Sequence, residues 1–205
     1  MNKFIKLTCF VMILMFVLVF SACQNNTIDN ISTEIELEDG SGTGILAEND
    51  TVDFYFYYPE NCVIHRNDAM IMIYTIDEDI LQTNKKDASS GDDLFLKTKP
   101  NLSATVFALP NGKYETINDY WNDFALPSFE GLFQEMESEE DLTVDGVDAK
   151  KYTYTLSISG MKYKFSQIIF FNKRQVYTLT YTATEAKYSS YINVLNTVAE
   201  TFKFK

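Results

Sequence analysis

"VDGVDAKKYTYTLSIS", residues 144–159, joins a turn signal to an unbroken period of two. Tyr152, Tyr154, Leu156 and Ile158 alternate with Lys151, Thr153, Thr155, Ser157 and Ser159. In an extended chain that alternation puts an apolar row on one side and a polar row on the other, as in a strand with one face buried and one wet. Asp145-Gly146 just ahead of it is hairpin chemistry. The same grammar continues on both sides, so residues 132–183 read as a four-stranded antiparallel meander. Its turns fall near Asp145-Gly146, Ser159-Gly160 and Asn172-Lys173, and Tyr177, Leu179 and Tyr181 repeat the alternation.

The first hairpin allows two registers. A two-residue loop sets Glu137 against Tyr154 and Glu135 against Leu156, which brings charge onto an apolar face. A three-residue loop, with Gly146 left-handed, sets Met136 against Tyr154 and Glu139 against Lys151. The second register is the expected one.

Upstream, short runs rich in aromatic and β-branched residues at 52–58, 62–66, 69–76 and 101–109 read as further strands. Pro59-Glu60-Asn61, Asn67-Asp68 and Pro110-Asn111-Gly112 punctuate them. Ile117, Tyr120, Trp121 and Phe124 fall at helical spacing, which predicts a short helix that ends before Pro127 with the single tryptophan turned inward. Near the C-terminus Tyr188, Tyr191, Ile192, Leu195, Val198 and Phe202 form one helical stripe, with Thr184 as N-cap and Glu185 in the first turn. The fold class expected from this order is α+β: an antiparallel sheet meander sandwiched between helices.

From about Asp50 to Lys205 the chain resembles the PsbP-like family. The resemblance rests on Tyr58-Pro59, on "NLSATV" at 101–106, on "VDGVDAKKYTYT" at 144–155, on "VYTLTYTA" at 176–183 and on the closing "TFKF". Members commonly carry a tryptophan three residues after that proline, where this chain has Cys62, and the exchange implies a change in core volume. The resemblance implies an α-β-α sandwich and a non-enzymatic role as an accessory or docking module for a larger assembly.

The N-terminus follows signal-peptide grammar. Lys3 and Lys6 precede an apolar run from Leu7 to Phe20, about 21 Å as a helix against the roughly 30 Å of a bilayer's hydrocarbon layer. Ser21 and Ala22 then stand directly before Cys23, an arrangement that resembles the lipobox of bacterial lipoproteins, although Phe20 replaces the usual aliphatic residue three places before the cysteine. The resemblance implies that Cys23 is acylated and becomes the first residue of the mature protein, with ordinary secretory cleavage or an uncleaved anchor as alternatives. Two acyl chains hold a protein to a bilayer stably where one does not. The expected organisation is a signal peptide over 1–22, a flexible acidic tether over 23–50, in which the alternating "STEIELE" at 32–38 can pair as an edge strand, and a domain over 51–205. The expected location is the extracytoplasmic face of the cell membrane.

Removing residues 1–22 takes Lys3 and Lys6 away and moves the formal charge from −12 to −14. Such a chain repels phosphate backbones, so nucleic acid is not an expected partner; a protein of the cell envelope is. No P-loop, dinucleotide fingerprint, HExxH or CxxC occurs in the domain, and neither cofactor nor catalytic set is expected. A thiol or hydrolase reading requires Cys62 with His65, the single histidine, but their odd spacing in a strand turns them to opposite faces. A ligand- or calcium-binding reading rests on Asp77, Glu78, Asp79, Asp87, Asp92 and Asp93 around a long loop, whose spacing matches no EF-hand. Glu135, Glu137, Glu139 and Asp141 share a parity and read as a wet strand face. In "FYFYYP", residues 54–59, Phe54, Phe56 and Tyr58 face one way, leaving Tyr55 and Tyr57 either exposed or covered by a further layer.

Overall fold

A computed structural model of the chain describes residues 31–38, 40, 42–67, 70–75, 99–109 and 113–205. The meander comprises Phe133–Val144 (β7), Val147–Ile158 (β8), Met161–Asn172 (β9) and Gln175–Thr184 (β10). Its first hairpin closes with Val144 opposite Val147, a two-residue turn in which Asp145 (φ 47°) and Gly146 (φ 77°) are both left-handed. The expected three-residue loop is therefore corrected, and Glu139 faces Tyr152 while Glu140 faces Lys151. Met136 nevertheless meets Tyr154, because the register slips by one between Met136 and Ser138 and again between Phe133 and Glu135. The bulge leaves Glu137 unpaired in the ladder, so charge is kept off the apolar row without changing the turn.

The shorter strands ahead of the meander include Phe54–Pro59 (β3), Cys62–Asn67 (β4), Met70–Thr75 (β5) and Asn101–Ala108 (β6). Among the described residues one antiparallel sheet runs β4-β5-β6-β10-β9-β8-β7. A second, smaller sheet joins Glu34–Glu36 (β1), Thr43–Glu48 (β2), β3 and Lys203–Phe204 (β11) in the order β1-β2-β3-β11. The smaller sheet moves the start of the folded domain. Residues 34–36 and 43–48 lie inside the stretch expected as tether, yet Leu37 and Ala47 are buried. Gly44 makes this possible, since a Cβ there would stand 2.7 Å from the Leu37 side chain that crosses it.

The two faces of the large sheet carry separate cores. On the first, Ile71, Ile73, Leu102, Ala104, Ile168, Phe170, Tyr177 and Leu179 pack against Phe54, Phe56 and Phe202. Rings here lie close, with Phe170 5.3 Å from Tyr177 and Phe54 5.0 Å from Phe202. On the second, Tyr152, Tyr154, Leu156, Ile169 and Val176 pack against Tyr120 and Trp121.

The helix expected after residue 116 begins at Thr116, whose side chain accepts from the Asp119 N–H while the Asp119 carboxylate accepts from the Thr116 N–H, both at 3.1 Å. Ile117–Tyr120 (α1) then widens into a π turn over Trp121–Ala125 and resumes as Leu126–Ser128 (α2). Two expectations are corrected. The helix passes through Pro127, which sits directly after a wide turn in which the Leu126 N–H reaches Trp121 O, rather than in the middle of a regular helix that its ring would block. The additional residue in that turn also rotates Phe124 off the inward stripe, to 41% exposure, and Ala125 takes the buried place. Trp121 does turn inward, its ring 4.1 Å from Tyr152 and nearly parallel to it.

The C-terminal stripe is split into Glu185–Tyr191 (α3) and Asn193–Thr201 (α4), with Val194, Leu195 and Val198 in the first core. Thr184 holds the N-cap position but makes no side-chain cap bond, and Phe202 lies beyond the helix in extended backbone. That extension feeds β11 onto the edge of β3. One residue earlier, Thr201 Oγ1 accepts from the Tyr57 N–H at 3.0 Å, so a side chain caps the β3 edge where β11 does not reach.

Candidate functional site

The structure separates the two residues of the thiol reading. Cys62 is 8% exposed, and burial pushes its thiol up to about 12; His65, opposite Met72 on the neighbouring strand, is exposed and stands edge-on to Tyr74 at 5.3 Å. A thiolate is the nucleophilic form of cysteine, so a raised pKa and an absent base both argue against attack by this sulfur. Cys23 and the acidic residues from Asp77 to Asp93 lie outside the described residues. Among the described residues no three His, Cys, Asp or Glu side chains gather as a metal site. No helix among them is long and apolar enough to cross a membrane.

Glu137, Glu139, Glu140 and Asp141 of β7 have lysine partners rather than a vacancy between them. Lys150 Nζ reaches Glu139 at 2.6 Å and Asp141 at 2.9 Å, Lys151 reaches Glu140 at 2.8 Å, and Lys164 pairs with the bulged Glu137. Hydrogen bonds to Glu139 and then Asp141 hold Lys150 above its ordinary pKa. Tyr57, one of two tyrosines with an open assignment, is buried and its hydroxyl donates to Ser32 O at 2.8 Å; Tyr55 is half-buried.

The concave feature that the sequence reading did not assemble lies at the end of the second face. Large apolar side chains exposed among the described residues are Val63, Phe107 and Phe124, and the two phenylalanines flank one cleft. β6 brings Phe107, opposite Val176 of β10, and the π turn brings Phe124. Between them stands Tyr120, with ring centroids 6.4 Å from Phe107, 5.3 Å from Phe124, 5.4 Å from Tyr114 and 6.0 Å from Phe171. Burial, and then Tyr114, raises the Tyr120 phenol well above its ordinary value, so the ring presents a neutral surface at any physiological pH. The Tyr114 hydroxyl is buried without a hydrogen-bond partner, and Lys113 Nζ lies 5.1 Å from the Tyr114 ring centre.

The cleft holds about 130 Å³. Small-molecule pockets run to roughly 300–1,000 Å³, so this one suits a single inserted side chain rather than a whole metabolite. A larger hollow of about 350 Å³ between β1 and α4 is rimmed by Glu36, Glu38 and Glu200. Chemically the cleft offers aromatic edges and faces, with Lys113 as its one charged side chain and no His, Cys, Ser, Asp or Glu in its lining.

No family model matches the chain, and neither does any curated protein sequence. Solved structures do. LpqN of Mycobacterium tuberculosis, described as involved in cell envelope biogenesis, aligns at a TM-score of 0.52 and 13% identity over 74% of this chain and 83% of that one. The cyanobacterial PsbP of Synechocystis aligns at 0.51 and 14% identity over 90% and 98%. The Ran-binding protein Mog1p of Saccharomyces cerevisiae aligns at 0.51 and 9% identity over 83% and 94%. At such identities the likeness concerns the fold, and the fold is α+β and PsbP-like.

Proposed function

We propose that this protein is a lipid-anchored accessory module of the cell envelope, held to the extracytoplasmic face of the membrane through Cys23 and docking a partner protein in the aromatic cleft. One observation carries the docking half: Phe107 and Phe124 stand exposed on either side of a buried tyrosine, where the other phenylalanine, tyrosine and tryptophan rings among the described residues are buried or half-buried. Exposed aromatics around a pocket are what protein interfaces use as anchors. The envelope role described for LpqN and the protein binding described for Mog1p support the same reading. The burial of Cys62 away from His65 supports binding over catalysis.

The anchoring half rests on residues 3–23. Eleven residue-to-residue steps lead from Cys23 to Glu34, a span of at most about 36–40 Å when fully extended, so β1 stays within that distance of the bilayer surface. Intact mass of the protein extracted from membranes tests the anchor. The expected species begins at Cys23 and carries acyl chains, and Cys23→Ala leaves the chain unprocessed and unacylated. A mature chain that begins at Met1, or one without acyl groups, overturns it. The docking half is tested by Phe107→Ala/Phe124→Ala, which is expected to retain thermal stability and lose the crosslinked neighbour seen with the native protein.

A further inference from the structure

The three hairpins of the meander are built alike except in one respect. Asp145-Gly146 and Ser159-Gly160 place glycine second, with φ of 77° and 80°, whereas β9 and β10 are joined by Lys173 at φ 46° and Arg174 at φ 66°. Two left-handed positions call for Asn-Gly or Asp-Gly, and each residue with a Cβ held there costs on the order of 1 kcal/mol. The chain keeps two cations at a turn whose backbone disfavours both.

That turn adjoins the strand ends that line the aromatic cleft. The Leu109 N–H donates to Arg174 O at 2.9 Å, Gln175 faces Ala108 and Val176 faces Phe107. Lys113 lines the cleft beside them. Ion pairs engage Lys150, Lys151, Lys162, Lys164 and Lys203, and none of these pairs involves Lys113, Lys173 or Arg174. In a chain of formal charge −12, these three cations give the β9–β10 side of the cleft a positive rim, while Glu115, Asp119 and Asp123 stand exposed on the segment that brings Tyr114, Tyr120 and Phe124.

Resting on the docking reading, we infer that the partner presents an acidic peptide segment: an apolar side chain enters the cleft between Phe107 and Phe124 while flanking carboxylates meet Lys173, Arg174 and Lys113. The volume of the cleft admits one side chain, and the cationic rim selects its neighbours by charge. A flat anionic membrane satisfies the rim but inserts nothing of defined shape between the rings.

The test uses the purified full chain with two short labelled peptides of the same length, one of repeating Glu-Phe-Glu and one of repeating Gln-Phe-Gln, and phosphatidylglycerol vesicles as a third arm. The glutamate peptide is expected to bind about three- to tenfold more tightly at low salt, with an advantage that shrinks as salt rises. Lys173→Asn/Arg174→Gly should remove that advantage while the melting temperature holds or rises, so misfolding does not account for the loss. Equal affinity for both peptides, lost in Phe107→Ala/Phe124→Ala, overturns the acidic preference and leaves the cleft as a docking site. Binding that ignores both phenylalanines, or no binding of either peptide, overturns the cleft itself. Vesicle binding that needs Lys173 and Arg174 without any preference for the glutamate peptide overturns the peptide in favour of a membrane contact.

Discussion

On one face of the large sheet Phe170, Tyr177 and Leu179 lie beneath a second sheet and α4 and are withdrawn from water. On the other, Phe171 and Val176, each one residue away, lie beneath a short interrupted helix that leaves Phe107 and Phe124 in solvent. Both faces are built from the same strands and are equally rich in aromatic residues, so composition does not separate them. What separates them is the cover: a sheet and a regular helix exclude water from the full width of the first face, and α1, its π turn and α2 are too short to do the same for the second. Burial on the closed face serves stability, whereas incomplete burial on the open face leaves apolar surface in contact with water.

The largest expected contrast comes from removing one ring from each face. Phe170→Ala should cost about 3–5 kcal/mol in denaturant unfolding, because it empties a site packed by Tyr177, Phe202 and Phe204. Phe124→Ala should cost under about 1 kcal/mol and act on binding instead. Similar losses at the two positions would erase the distinction between the faces.

A smaller effect probes a polar contact at the rim of the closed face. The Tyr177 hydroxyl donates to Asp53 Oδ2 at 2.7 Å or to Gln175 Oε1 at 2.8 Å, while Asp53 Oδ1 is buried without a partner. Tyr177→Phe should therefore destabilise by about 1–3 kcal/mol, since the carboxylate loses a donor it cannot replace. Lys173→Asn/Arg174→Gly on the open side should shift stability the other way by about 1–2 kcal/mol, which thermal unfolding reads directly.

The smallest effect follows pH. Burial alone would raise the Asp145 carboxyl, but hydrogen bonds from Lys203 Nζ at 2.7 Å and the Phe204 N–H at 3.1 Å prevail and hold it below its ordinary value of 3.8. A carboxyl lowered in the folded state adds stability above its unfolded pKa and loses it as pH falls through the folded one. The gap between the native protein and Lys203→Ala, a few tenths of a kcal/mol near neutrality, should accordingly close below about pH 4.

How legible these faces were depended on the kind of signal. The alternation through 151–159 and again through 177–181 made the meander and its inward rows visible, since a period of two survives any choice of turn. Register did not survive, because the bulges at Glu137 and near Gln134 undo in the strand what the turn sets. β1 was legible in the alternation of "STEIELE" at 32–38, whereas β2 was hidden by a glycine-bearing sequence whose few apolar residues, Ile45, Leu46 and Ala47, are consecutive rather than alternating. The capping pair Thr116 and Asp119 was legible as a spacing and went unread.

The cleft was half legible. Phe107 breaks the alternation of Leu102, Ala104 and Val106, which marks an apolar ring on the polar side of β6. Phe124 gave no such sign, for it fits the helical stripe until the π turn rotates it outward. The strain at Lys173-Arg174 was invisible while the turn was placed one residue early.

The open face as a docking surface is tested most directly by a photoreactive benzoyl-phenylalanine, placed in living cells at position 124 and, separately, at position 46 on the small sheet. A discrete adduct that Phe107→Ala abolishes is expected from position 124, and none from position 46. Adducts of equal yield from both positions, or an adduct from position 46 alone, would contradict it.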